Sequence, residues 1–478
     1  MRKDGTMLYQ TRVNQTRQAE NSLFLVNSPH FGGIGLLYEE ARKELREGSR
    51  LFVLDAIEPG AYPDMKNFTR DSTILWRAWR RRQFLGGLGC AQYQRLRPLL
   101  TRVAQQQSDD PAMTAIARQT LHDHAVCYGT TDTEIPAFIE SRLNATARIY
   151  KRIHVALHEY VVRHGITRVF IFNGRNPVAR LLENVCIEHG IELVFLEFFG
   201  KRDGRMTYIR LPFELFDMDR LGDWIREAYL AAGPERDAIA KATLDDRIEN
   251  LDPMLLSWNV EGGTRSEAGA TPAAETKPLV SFFFSSEDEY PAFKPSRYGL
   301  PDPTRQYDTF RQICRGLAER GLLNTYRWAM KLHPRYVAES HKLTAANIAW
   351  EAAIADIRAI GMDIDVQTPT ASPYALIARS ALVVSYGSTA WEACYLGKPA
   401  ILLGPQPFGS HDCAHSAGDV ETVLDLIANI PPPKPRHHAY PYAWGWNRMG
   451  IVPEVSLSNR RSGLREKLAM ALRNRFPR

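Results

Sequence analysis

Short apolar runs alternate with helix-length segments along most of this 478-residue chain, and the alternation is interrupted once before it restarts. Leu23–Asn27 and Leu51–Asp55 read as buried strands around a helical segment from Ile34 to Glu47, which makes a β-α-β unit. A long amphipathic helix from about Pro136 to His164 leads to a strand at Arg168–Phe172, a helix at Pro177–Gly190 and a strand at Glu192–Glu197. Further on, strands at Leu279–Ser285, Tyr326–Leu332, Asp363–Gln367, Leu382–Tyr386 and Pro399–Leu403 are separated by helical segments near 304–320, 341–360, 372–380 and 389–396. Continuous apolar strands alternating with helices need a parallel sheet covered on both faces, which sets the fold class as α/β.

A chain this long outgrows a single hydrophobic core, so two domains are expected. The interruption, Gly262–Thr276 within 253–277, is rich in Gly, Ala, Ser and Thr and reads as a linker. The expected organisation is an N-terminal α/β domain over 1–252 with an irregular helical insertion at about 60–134, the linker at 253–277, and a C-terminal α/β domain over 278–478 that ends in a helix. Two doubly wound domains so joined would face each other across a cleft. Ligands of such sheets bind outside the carboxyl ends of the strands, which is where candidate residues are sought.

Hydrophobic residues make up 44% of the chain and charged residues 24%, ordinary proportions that exclude a disordered or fibrous protein. No apolar stretch approaches the roughly 18 residues of a membrane helix, and Met1–Asn21 is too polar for a signal peptide, so a cytoplasmic protein is expected. Six cysteines, Cys90, Cys127, Cys186, Cys314, Cys394 and Cys413, are scattered without close pairs, as reduced thiols would be. The formal charge of +6 is mild for this length. Part of the excess lies in Arg77, Arg80, Arg81, Arg82, Arg95 and Arg97, interleaved with Trp76, Trp79 and Phe84. That segment reads as a solvated helix with tryptophans on its inner face, or as a membrane-surface or acceptor-binding patch. Without a nucleic-acid-binding motif and with so small an excess, no nucleic acid is expected as a partner.

Three segments could carry chemistry. Val383–Pro399 holds a strand that ends at Tyr386-Gly387, after which Ser388 and Thr389 open a helix whose free N–H groups and hydroxyls suit a phosphate. Glu392, three residues on, could accept hydrogen bonds from ribose hydroxyls; alternatively hydroxyl and carboxylate form a capping box and only satisfy the helix end. Met330-Lys331-Leu332-His333-Pro334-Arg335 ends another strand, and its proline fixes a turn that aims His333 and Arg335. Phe282–Glu289 runs a third strand into Ser285, Ser286 and three carboxylates, either a ligand loop or a polar helix cap.

In the order strand-SSEDE, KLHP, YGSTxxEAxxxGKP, these segments resemble bacterial capsule and O-antigen glycosyltransferases of the GT-B type, including relatives of Kdo transferases and sialyltransferases with His-Pro motifs. The resemblance covers most of 279–405 and extends more loosely to Phe172-Asn173-Gly174-Arg175 and the strand ending at Glu197. It implies two Rossmann-like domains, a nucleotide-sugar donor, a glycan or glycolipid acceptor, and contacts from His333, Ser388 and Thr389 to the donor nucleotide and its phosphate. Ser285, Ser286, Lys331, Arg335, Gly387 and Glu392 complete the expected donor side. The donor is a CMP-linked acid such as Kdo or sialic acid, or a UDP- or GDP-sugar; no cofactor is implied. Work at the cytoplasmic face of the inner membrane, as a peripheral protein, is compatible with such an acceptor. Between 60 and 134 the chain departs from the pattern.

Several enzymes of that group use an N-terminal carboxylate on the acceptor or sugar, which makes Glu197 and Asp55, both at carboxyl ends of expected strands, the candidate general bases. Arg175 could bind an anionic sugar or acceptor carboxylate in bidentate fashion, and His30 lies beside Gly32 and Gly33 in the first β-to-α turn. Each also has an ordinary reading as a helix cap or a surface ion pair. The histidines show no zinc-ligand spacing, so no metal is expected. Competing functions are a polyol-phosphate transferase, a nucleotide-sugar epimerase, and a non-catalytic protein that binds glycan or nucleic acid.

Overall fold

The computed structural model describes residues 20–26, 31–56, 92–100, 110–128, 135–202, 205–249, 277–286, 290, 293–301, 305–334, 336, 344–368 and 371–453. The chain divides into two compact units. Of the described residues, one holds those up to Met113 with Thr146–Leu215 and those from Met449; the other holds Thr114–Ala145 and Phe216–Arg448.

The first unit is built on a six-stranded sheet of β1 (Asn21–Val26), β2 (Arg50–Asp55), β3 (Gln92–Arg95), β4 (Arg168–Phe172), β5 (Glu192–Arg202) and β6 (Arg205–Leu211), in the order β3-β2-β1-β4-β5-β6. All pairs are parallel except β5 with β6. Its helices are α1 (Phe31–Arg46), α2 (Leu96–Leu100) and, beyond α3 (Pro111–Tyr128), the part of α4 (Ile135–Arg163) from Thr146 and α5 (Pro177–His189); α3 from Thr114 and α4 up to Ala145 group with the second unit. The central strands are buried along their length, as their apolar sequences require, and Phe24 stacks on Phe170 with ring centroids 4.6 Å apart. α1 also sets Glu44 in the interior, where Ser22 Oγ donates to it at 2.7 Å and Arg168 at 3.1 Å, so the buried carboxylate is compensated.

The second sheet holds β7 (Leu279–Phe283), β8 (Arg327–Lys331), β9 (Ile364–Gln367), β10 (Leu382–Ser385), β11 (Ala400–Leu402) and β12 (His415–Ser416), in the order β12-β11-β10-β7-β8-β9 and all parallel. The remaining helices are α6 (Met218–Leu230), α7 (Arg236–Ile248), α8 (Gln306–Glu319), α9 (Thr344–Ala359), α10 (Pro373–Arg379), α11 (Thr389–Tyr395), α12 (Val420–Ala428) and α13 (Tyr440–Arg448). An aromatic core of Phe282, Phe284, Phe310, Trp328 and Trp350 joins this sheet to α8 and α9, with Phe284 and Trp350 rings 4.3 Å apart. Numbered within its own unit, each sheet has the strand order 3-2-1-4-5-6 of a doubly wound fold. The two Rossmann-like domains expected from the sequence are therefore both present. The order reverses between β1 and β4 in one sheet and between β7 and β10 in the other.

One boundary between the units falls at Phe216, and α6 and α7 group with the second sheet. Most of the expected linker, the Arg- and Trp-rich stretch up to residue 91 and the expected C-terminal helix beyond 453 lie outside the described residues. No helix among the described residues is long and apolar enough to cross a membrane.

Packing explains why α6 belongs to the second unit. Gly222 lies against the 3-10 turn Pro407–His411, where a Cβ would collide with the Pro407 carbonyl. His411 Nε2 donates to the Gly222 carbonyl at 2.9 Å, while Nδ1 is buried without a hydrogen-bond partner among the described residues, so a second proton has no acceptor there. Burial lowers the His411 pKa to about 4. With a folded pKa below the ordinary 6.5, stability is complete above about pH 6.5 and is lost as pH falls toward 4, by up to about 3 kcal/mol. Thermal unfolding of wild type and His411→Gln between pH 7.5 and 4.5 is expected to show the wild type losing more. Parallel curves would mean that His411 does not titrate in this way.

Candidate functional site

In the second sheet the reversal of strand order brings the carboxyl ends of β7 and β10 side by side. Gly387 follows β10 so closely to β7 that a Cβ on it would lie 3.7 Å from the Ser285 side chain. Ser285 N–H donates to Gln306 Oε1 at 3.0 Å, which ties the end of β7 to the start of α8. Ser385, which the sequence reading passed over, organises the turn: its hydroxyl accepts from Gly387 N–H at 3.0 Å and lies 2.5 Å from Thr389 Oγ1. Thr389 thus braces the turn with its side chain. Tyr290 fixes the same turn from behind by donating to the Tyr386 carbonyl at 2.6 Å.

On the other side of β7, β8 ends at Lys331, whose side chain is buried and whose pKa burial lowers to about 8. His333 follows in a half-buried turn, its carbonyl accepting from Tyr336 N–H at 3.1 Å. Strands in a sheet lie about 4.8 Å apart, so the ends of β8 and β10, with β7 between them, are separated by only about 10 Å. The topology therefore brings Ser285, Ser286, Lys331, His333, Gly387, Ser388 and Thr389 to the carboxyl edge of three adjacent strands. Arg335 and the acidic run Glu287–Glu289 lie outside the described residues.

Glu392 has a partner that neither sequence reading supplied. Ser388 occupies the N-cap of α11 without a side-chain capping bond, so there is no capping box. The Glu392 carboxylate is buried and accepts from Arg247 Nε of α7, with the Tyr374 hydroxyl 3.4 Å away. Arg247 Nη2 extends to 3.5 Å from Ser388 Oγ, and its guanidinium lies 5.6 Å from the ring centroids of both Trp391 and Trp446. Sequence could not pair Arg247 with a residue 145 positions away.

In the first sheet, β4 is followed by Asn173 and Gly174, both with positive φ, and a Cβ on Gly174 would press on the Phe195 ring. Asn176 then caps α5 by accepting from Val178 N–H at 2.9 Å, leaving Arg175 half-buried between the turn and the helix. Asn173 Nδ2 donates to Glu197 Oε2 at 2.6 Å, and Phe198 N–H donates to Oε1 at 2.9 Å. The half-buried Glu197 is therefore held by its neighbours just past the level of the end of β4, but it is not the strand end expected from the sequence, because antiparallel pairing with β6 carries β5 on to Arg202. Asp55 ends β2 and is 4% exposed. His30 lies outside the described residues. Among the described residues no group of three His, Cys, Asp or Glu side chains could hold a metal ion.

No family model and no curated protein matches the chain. Among solved structures it is similar to a trehalose 6-phosphate synthase from Burkholderia multivorans, at 11% identity and a TM-score of 0.35 over 97% of this chain and 99% of that one. It is also similar to a glycosyltransferase from Rickettsia africae, at 11% identity and a TM-score of 0.30 over 95% and 98%. A third is the UDP-GlcNAc 2-epimerase from Neisseria meningitidis, solved with UDP-GlcNAc, at 10% identity and a TM-score of 0.28 over 95% and 100%.

Proposed function

We propose that this chain is a glycosyltransferase that moves a sugar from a nucleotide-activated donor to a growing capsule, O-antigen or related surface glycan, working in the cytoplasm as a soluble or peripheral protein. One observation carries the reading: Ser285, Lys331, His333, Gly387 and Ser388, singled out by sequence as donor-side residues, end three adjacent strands at a topological switch point. That is the position at which doubly wound sheets take nucleotides. In this reading the serine hydroxyls and the Lys331 ammonium hold the donor phosphate. A carboxylate of the first domain, Glu197 or Asp55, takes the proton of an acceptor hydroxyl as that oxygen bonds to the anomeric carbon. The bond from that carbon to the phosphate oxygen breaks, and the nucleotide leaves as an anion. CMP-linked acids and UDP- or GDP-sugars both satisfy this chemistry.

Thermal unfolding with CMP, UDP and GDP tests the donor class, since a ligand at 100 times its Kd adds about 2.7 kcal/mol to the folded state. One of the three is expected to stabilise the protein, and the corresponding sugar donor is expected to be consumed only when a glycan acceptor is present. Stabilisation by none of them would overturn the proposal, and conversion of the donor without acceptor would replace it with an epimerase.

A further inference from the structure

The structure assigns a second cation to the carboxyl edge of β10: we infer that Arg247 receives the oxyanion of the donor nucleotide, and that Glu392 is its positioning residue. The inference rests on the donor-site reading above and adds to it a residue from α7, outside every segment that suggested the site. Arg247 and Glu392 are 11% and 2% exposed at their side chains, so both charges are largely removed from water. A buried ion pair of this kind is weak support for stability, because apolar packing of similar volume does as well or better. Its use here follows from direction. Nε is engaged by Glu392, which turns the terminal nitrogens toward Ser388; Nη2 is 3.5 Å from Ser388 Oγ, long for a hydrogen bond. An oxyanion seated beside Ser388 can take donors from the hydroxyl and the guanidinium together, the planar geometry in which arginine exceeds lysine.

The surroundings hold that orientation. Trp391 and Trp446 each present a ring to the guanidinium at 5.6 Å, which favours the cation and restricts its movement. Asp245, two residues earlier on α7, accepts from the Tyr395 hydroxyl of α11, so the helices that carry Arg247 and Glu392 are fastened together. A charge pre-set in this way needs little rearrangement when the ligand arrives.

Calorimetry with the nucleotide that stabilises the wild type, and separately with the matching nucleoside, tests the inference. Arg247→Gln is expected to weaken the nucleotide roughly 10- to 100-fold, as loss of a charge-assisted contact does, with the nucleoside unaffected. Glu392→Gln is expected to weaken the nucleotide alone by a smaller factor, and Glu392→Asp to restore part of it. Because Arg247→Gln strands a buried carboxylate, the double variant Arg247→Gln with Glu392→Gln, which removes both charges, is measured beside it, with circular dichroism to report the fold. Unchanged nucleotide affinity, or an equal loss for nucleotide and nucleoside in the folded double variant, would overturn the inference. If no nucleotide binds the wild type, the donor-site reading fails by itself. Pyrophosphate then decides on Arg247: binding that disappears in Arg247→Gln sustains the oxyanion role, and no binding by the wild type ends it.

Discussion

Glu197→Gln is expected to lower turnover by about 10²- to 10⁴-fold while donor affinity persists, the usual contribution of a positioned general base. Gln keeps the shape and one acceptor oxygen but has almost no basicity. The side chain is already oriented, with Asn173 on one oxygen and Phe198 N–H on the other, and each carboxylate oxygen accepts more than one hydrogen bond. Those two bonds fix its direction. Asp55, at 4% exposure, is less able to meet an acceptor hydroxyl than the half-buried Glu197. Asp55→Asn is therefore expected to act mainly on stability, and Glu197→Gln mainly on rate. Turnover at saturating donor, nucleotide calorimetry and thermal unfolding on both variants separate these effects. Near-normal turnover in both would remove the carboxylate model and leave substrate-assisted chemistry or a base elsewhere.

The fold was legible where burial is continuous. Arg168–Phe172 reads as a strand from sequence because all five positions are buried in the sheet, and the same holds for Leu382–Ser385. β6 escaped the reading because it is an antiparallel edge strand whose exposed and half-buried ends, Arg205, Met206 and Arg210, break the apolar run. β3 escaped because Gln92–Arg95 has no apolar run at all; it is recruited only through pairing with β2. At the site, residues attached to strand ends were legible, since strand order alone gathers Ser285, Lys331 and Gly387. The surroundings of Glu392 were not. Spacing on α11 predicts local partners, whereas its buried carboxylate is claimed by Arg247 of α7, and the competition is settled by desolvation and tertiary packing.

Lys331→Met is expected to raise stability at pH 7 by up to about 3 kcal/mol and to weaken nucleotide binding at least about tenfold. The first effect follows from burial, which lowers the lysine pKa from the ordinary 10.5 to about 8. That gap corresponds to about 3 kcal/mol, and lost hydrogen bonds of the ammonium reduce the net gain. The sign is that of a depressed base: between about pH 8 and 10.5 the unfolded chain binds the proton and the folded chain does not, so wild-type stability rises with pH. The cost is complete below pH 8 and gone above about 10.5. Denaturant unfolding at pH 7 and pH 10 should therefore show the variant's advantage shrinking as pH rises. The second effect follows if a donor phosphate sits beside the strand end, because an anion there favours the charged lysine and raises its pKa again. Wild-type nucleotide affinity should then fall above pH 8, with proton uptake visible as a buffer-dependent binding enthalpy, and Lys331→Met should show neither. A strand-end lysine that costs stability while unliganded fits a site kept for its ligand. A variant less stable than wild type at pH 7, together with unchanged nucleotide affinity, would make Lys331 a structural residue and take the cation on β8 out of the donor site.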